Sequence, residues 1–269
     1  MANSPTAVDE AALFSFDDVS IPHAENLRLI MNSPAKYSGN PVLEIGAPGC
    51  PDNFGVQFYG SIIRHAGKYK LWYVAFDDDI NTEGHEKACR PAYAESEDGI
   101  TWQRPDLSLV EYRGNKSNNL LLIEPAPVNA INLKVIIDPD DPDPSRLFKM
   151  AAETFWYDNG VKSGGTLCPL FSADGLRWQI ANGVTPVDQR FTKKQLFLPP
   201  IHFEAAGGLH TWKGMYYISG QGTDQNTSEI SGRKISLFRS ADFLTWQPTS
   251  ALAFVREGQH GDFATDHGE

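Results

Sequence analysis

Hydrophobic positions in this chain fall in short runs broken by Gly, Pro, Asp and Asn, and none approaches the roughly 20 apolar residues needed to cross a bilayer. The runs Gly55 to Ile63, Lys68 to Val74, Leu133 to Ile137, Arg146 to Ala152, Ala205 to Leu209 and Lys213 to Ile218 are largely apolar, carry aromatic or β-branched residues, and read as strands. They come in pairs. The first pair meets at His65-Ala66-Gly67, the second at a Pro/Asp turn, and the third at Thr211-Trp212-Lys213.

Each pair is followed by the same closing phrase. Ser96-Glu97-Asp98-Gly99-Ile100-Thr101-Trp102, Ser172-Ala173-Asp174-Gly175-Leu176-Arg177-Trp178 and Ser240-Ala241-Asp242-Phe243-Leu244-Thr245-Trp246 share the pattern Ser-x-Asp-(Gly/Phe)-x-x-Trp. Three copies at a spacing of roughly 70 residues define a repeat. Asp-Gly suits a tight turn because Gly accepts positive φ and the Asp side chain can hydrogen-bond the turn backbone, while the Trp ring covers the hairpin end. The unit is therefore strand, turn, strand, loop, strand ending at Ser, Asp-Gly turn, and a last strand starting near Trp. Four antiparallel strands that cannot bury their faces alone describe a β-propeller blade. The predicted fold class is all-β, a β-propeller of four-stranded antiparallel blades with at least three blades recognisable. Residues 1–49 form an N-terminal segment able to supply closing strands, and blades follow at about 50–120, 121–195 and 196–250, with the start of a fourth beyond.

Composition narrows the partners. The chain has 269 residues, and its Gly 23 and Pro 18 are scattered, which fits many turns and few long helices. A formal net charge of −11 repels a phosphate backbone, so neither nucleic acid nor a membrane is an expected partner. The N-terminus has no basic end followed by an apolar run, hence no visible signal peptide, and the chain reads as cytoplasmic or as a processed exported protein. Cys50, Cys89 and Cys168 lack metal-ligand spacing and read as reduced structural thiols. No cofactor and no catalytic metal are expected. The acidic run Asp138-Pro139-Asp140-Asp141-Pro142-Asp143-Pro144 reads as a solvated turn, with a structural cation such as calcium as its functional reading.

Lys68-Tyr69-Lys70-Leu71-Trp72-Tyr73, followed by Tyr93-Ala94-Glu95-Ser96-Glu97-Asp98-Gly99-Ile100-Thr101-Trp102, resembles the five-bladed propeller glycoside hydrolases, the superfamily of arabinanases, xylosidases and invertase-like enzymes. Asn115-Lys116-Ser117-Asn118-Asn119 and Asp143-Pro144-Ser145-Arg146 are similar to segments of its bacterial members. The resemblance covers roughly residues 40 to 250. It implies a carbohydrate substrate and cleavage of a glycosidic bond by paired carboxylates.

Blade geometry sorts loops by face. Starts of innermost strands, loops between second and third strands, and links between blades share one face, which receives the long segments Phe76 to Ala92, Gln103 to Asn132, Trp156 to Thr166, Gln179 to Glu204 and Gly220 to Lys234. A pocket is expected there. Glu204, at the start of the third innermost strand, occupies the position where the resemblance implies a general acid. Asp52, entering the first blade, or a member of Asp77-Asp78-Asp79, Asp78 foremost, would be the base or nucleophile. The middle blade departs from the pattern: Asn129, Ala130, Ile131 and Asn132 stand where invertases carry Arg-Asp-Pro, and the first blade lacks their Asn-Asp-Pro-Asn-Gly. Asn53, His85, Arg90, His202 and Asp224 are the expected substrate-binding residues, and Trp156 and Tyr112 are the aromatics placed to stack on a sugar. Competing readings are a noncatalytic carbohydrate-binding or interaction propeller, a sialidase-like enzyme and a phosphorolytic one. At roughly 70 residues per blade, five blades would need about 350 residues, so closure is expected from missing C-terminal blades, from a homo-oligomer or from strands in the N-terminal segment.

Overall fold

The computed structural model describes residues 23, 25–26, 28, 30, 32–79, 85–198, 203–204, 207–222 and 234–249. Contacts divide the chain into residues 1–40 and 41–269, and every element below belongs to the second unit. It is nearly all β. The first sheet has order β1(Gly55–His65), β2(Lys68–Phe76), β3(Cys89–Ser96), with the one-turn helix α1(His85–Ala88) leading into β3. The second places β4(Leu122–Glu124), β8(Arg177–Ile180), β7(Val161–Ser172), β6(Phe148–Asp158) and β5(Asn132–Ile137) side by side, with β9(Phe191–Thr192) added to β6. The third runs β10(Phe203–Glu204), β12(Met215–Gly222), β13(Lys234–Ser240), β14(Gln247–Pro248), and β11(Leu209–Trp212) also pairs with β12.

The first two strand pairs are those expected from the apolar runs. In the third, β11 covers Leu209–Trp212, so Thr211 and Trp212 are strand and the turn sits at Lys213–Gly214. β3, β7 and β13 each end on the Ser of the closing phrase. Among the described residues, all strand pairings are antiparallel except β4 with β8 and β6 with β9. The turn chemistry repeats three times. Ser Oγ donates to the Asp carboxylate, which accepts the N–H groups two and three residues on: Ile100 and Thr101 at Asp98, Leu176 and Arg177 at Asp174, and Leu244 and Thr245 at Asp242. The Trp Nε1–H closes each turn on a backbone carbonyl, of Gly99, Gly175 and Phe243. Gly99 and Gly175 have φ of 76° and 78°, and Phe243 is held at 65°. A buried Phe tolerates that left-handed backbone because its ring packs between Tyr216 and Trp246, at centroid distances of 5.2 and 5.4 Å.

Neighbouring sheets meet through two cores. Trp72, Val74 and Tyr93 of the first sheet pack with Phe148, Met150 and Trp178 of the second. Ala151 and Leu167 of the second pack with Ile218 and Phe238 of the third. Two hydrogen-bond sets cross the first joint, one buried and one part-buried. Trp72 Nε1 donates to Gly175 O at 2.7 Å, and Ser61 Oγ on β1 links to Leu133 O and Val135 N on β5. Gly175 has no room for a side chain, since a Cβ there would lie 2.9 Å from the Trp72 ring. Gly175→Ala therefore combines a positive-φ penalty with overpacking and is expected to cost about 2–4 kcal/mol in urea unfolding, against about 1–2 for Gly67→Ala, which bears the positive-φ penalty alone in an open hairpin.

The acidic run between β5 and β6 departs from a solvated turn. Asp140 and Asp143 are exposed, but Asp138 and Asp141 are largely enclosed around Lys149, which is fully buried. Lys149 Nζ lies 2.6 Å from Asp141 and 3.1 Å from Asp138 and donates to Arg146 O at 3.0 Å. The chain's own ammonium supplies the positive charge that a bound cation would. The loop also reaches the third sheet, where Tyr216 Oη donates to Asp138 and Arg146 donates to Asp242 O.

Candidate functional site

The loop after β2 gathers several of the residues singled out from sequence. Asp77 is fully buried, its carboxylate 2.5 Å from Arg90 and accepting the Tyr112 hydroxyl at 2.9 Å. Asp78 is exposed; its N–H donates to Asn53 Oδ1, and its carboxylate accepts from Arg113 at 2.6 Å. Arg113 also reaches Asp79, at 2.8 Å. Both guanidinium groups lie against the Tyr112 ring, at 5.2 Å for Arg90 and 5.3 Å for Arg113. Asn53, Asp78 and Arg90 are thus brought into one cluster, with Arg113 as an addition. Two cations among three acids offset all but one negative charge of the group from within. The Arg113 hydrogen bond is the main reason that the Asp78 carboxyl is held below the usual carboxylate range.

Asp52 lies apart from that cluster. It is fully buried and accepts from Tyr73 Oη at 2.8 Å and Arg104 Nε at 2.6 Å. Burial, then the Asp52 charge, push the Tyr73 phenol far above its ordinary value. Glu204 stands on β10, opposite Gln221 of β12, with its side chain half-buried. His202 and Asp224 lie outside the described residues, and of His85 only the backbone, opening α1, is described. Trp156 is 6% exposed and belongs to the core, and Tyr112, 8% exposed, is occupied by the two arginines, so neither ring offers a free face.

The start of β5 carries chemistry that the sequence reading passed over. Asn132 faces Glu153 across the β5–β6 ladder and donates its amide to that fully buried carboxylate. Lys134, two residues on, shares that face and is also buried; burial pushes its ammonium below the ordinary range against the pull of Glu153. The middle sheet therefore does hold a carboxylate beside the start of its first strand, one strand over. The signal available was a Glu ending the buried run Phe148 to Ala152, a position where an unpaired charge is costly.

A cavity of about 450 Å³ opens beside these residues, lined by Lys87, Asn129, Phe155, Tyr157 and the turn Asp188 to Arg190. Its lining draws together residues remote in sequence, from α1, the approach to β5, the end of β6 and the turn before β9. Cavities of this size hold small organic ligands. Its lining combines hydrogen-bonding side chains with two aromatic rings, Phe155 under Lys162 and Tyr157 under Arg190.

No protein-family model matches the chain, and no curated protein sequence does. Among solved structures it is similar to a GH32 β-fructofuranosidase from Bombyx mori, at 14% identity and a TM-score of 0.43, over 71% of this chain and 34% of that one. A glycosyl hydrolase from Bacteroides ovatus gives 16% identity and a TM-score of 0.45, over 80% of this chain and 57% of the other. A structure described with the GH130 mannoside phosphorylases and glycoside hydrolases that target β-1,2 mannosidic linkages in Candida mannan gives 17% and 0.43, over 80% and 57%. The chain spans about a third to somewhat over half the length of these proteins.

Proposed function

We propose that the three sheets are blades of a propeller and that the chain is a glycoside hydrolase whose sugar enters the cavity at the start of β5. One observation carries this reading: a single cavity joins Lys87, Asn129, Tyr157 and Arg190, residues of four segments that the loop sorting assigns to the substrate face, as it also assigns Asp78 and Glu204. Glycosidic cleavage needs one carboxyl to protonate the leaving oxygen while another serves the opposite side of the ring. Glu204 is assigned the acid. Asp78, exposed and held ionised by Arg113, is assigned the base or nucleophile, with Asn53 fixing its backbone. Asp52, enclosed by Tyr73 and Arg104, keeps its carboxylate away from solvent and is given a positioning role. Glu153 places a buried carboxyl group beside Asn132, at the strand start where the sequence itself offers only amides.

The deciding experiment is a glycan panel scored for released reducing ends, with and without phosphate. Turnover without phosphate supports hydrolysis, and a phosphate requirement replaces it with phosphorolysis. Binding with no turnover of any panel member would sink the enzymatic reading in favour of a carbohydrate-binding propeller.

The same assignment fixes a pH effect. With Asp78 required as its carboxylate, activity falls as pH drops through the Asp78 pKa. Arg113→Gln removes the partner that lowers this pKa, so the acidic limb of the kcat/KM profile should move to higher pH. An unmoved limb would take Asp78 out of the reaction.

A further inference from the structure

Resting on that reading, we propose that the cavity at the start of β5 is a subsite for a sugar bearing an anionic substituent, with Arg190 and Lys87 receiving its oxyanion and Asn129 receiving a ring hydroxyl. Arg90, Arg104, Arg113, Arg146 and Arg177 each lie within 4.0 Å of a carboxylate. Arg190 has no such partner among the described residues, although Asp188 stands two positions away on the same rim. Its guanidinium instead lies 4.6 Å over the Tyr157 ring, which fixes its plane and leaves its N–H edge for a ligand.

The backbone holds this side chain in place. Val187 and Arg190 exchange hydrogen bonds of 3.0 and 2.9 Å around a turn in which both central residues, Asp188 and Gln189, have positive φ (48° and 62°). Neither is Gly, so the turn is strained at the cavity rim, a placement typical of binding loops. Facing the turn, Asn129 is 5% exposed and its Oδ1 has no hydrogen-bond partner. A buried carbonyl oxygen without a donor is costly, and a sugar hydroxyl would satisfy it. Lys87 adds a second positive charge to the lining. Arg190, with no carboxylate partner among the described residues, favours an oxyanion over a neutral group.

The test measures binding by the full chain at low ionic strength, with methyl glucoside, glucuronate and inorganic phosphate as probes. Glucuronate is expected to bind at least tenfold tighter than methyl glucoside. Arg190→Gln should erase that preference while leaving the neutral sugar's Kd within about twofold, and Arg190→Lys should restore part of it. Asn129→Ala should weaken both sugars together. Equal affinity of the two sugars, or a preference surviving in Arg190→Gln, overturns the proposal. Phosphate binding as tightly as glucuronate overturns its sugar part, leaving an oxyanion site only. Glu204→Gln is titrated in parallel and should keep the preference. Failure of the hydrolytic reading would show as absent turnover with the preference intact.

Discussion

Glu204→Gln is expected to lower kcat on a natural glycoside by about 10²–10⁴-fold, the usual contribution of a positioned general acid, with KM within a fewfold of the parent. The amide is nearly the size of the carboxyl and keeps one hydrogen-bonding oxygen, so substrate binding survives while the proton is lost. Stability should hold as well, because Glu204 is only half-buried and sits on a two-residue strand. An aryl glycoside with a good leaving group gives a sharper readout. Its oxygen departs without protonation, so the acid's removal should slow it far less than the natural bond. Equal losses on both substrates would assign Glu204 to binding, and unchanged kcat on both would remove it from the mechanism.

Lys149→Met is expected to destabilise the fold by about 3–5 kcal/mol, the range for deleting one partner of a buried ion pair. The methionine fills the volume, but Asp138 and Asp141 then face each other with no buried ammonium between them. Burial alone would raise both carboxyl pKa values. Hydrogen bonds from Tyr216 and Lys149 to Asp138, and from Lys149 and the Asp143 amide to Asp141, outweigh it and hold both below the ordinary 3.8. Depressed folded-state values mean that this contribution is present above pH of about 4 and is lost as pH falls through the folded pKa values. The variant should therefore lose stability at neutral pH and show a flatter acid limb. Urea midpoints measured at pH 7 and pH 3 test both parts. A neutral-pH loss under about 1 kcal/mol would show that the loop draws its charge compensation from elsewhere, and adding Asp138→Asn and Asp141→Asn should recover part of the loss.

The strands were legible wherever a hairpin declared itself. Aromatic runs bounded by Ala66-Gly67 or Lys213-Gly214, and the Ser-Asp turns with their Trp, state their own local geometry because every hydrogen bond they need lies within a few residues. β4 and β9 were not legible. Each is two or three residues long and pairs in parallel with a strand remote in sequence, so neither a turn nor an alternating pattern marks it. Charge was misjudged for a related reason. Asp138 and Asp141 look solvated until Lys149, sitting in an apolar strand, is seen to turn towards them. Trp156 and Tyr112 lie on segments that reach the pocket face, yet packing in one case and two guanidiniums in the other claim their rings. Asn129 stands out in the sequence only as a departure from a motif, and Arg190 belongs to none; their meeting at one cavity gives them meaning.

The joints between sheets carry one further consequence. Trp72 donates to Gly175, Ser61 bridges to β5, and Tyr216 donates to Asp138, so each interior donor finds its acceptor on the adjacent sheet. Peeling one sheet away would break these bonds and expose the apolar surface packed between the sheets, including Trp72 and Phe148 at one joint and Ile218 and Phe238 at the other. Melting is thereby coupled from sheet to sheet, and the repeats behave as one cooperative unit in place of a string of independent modules.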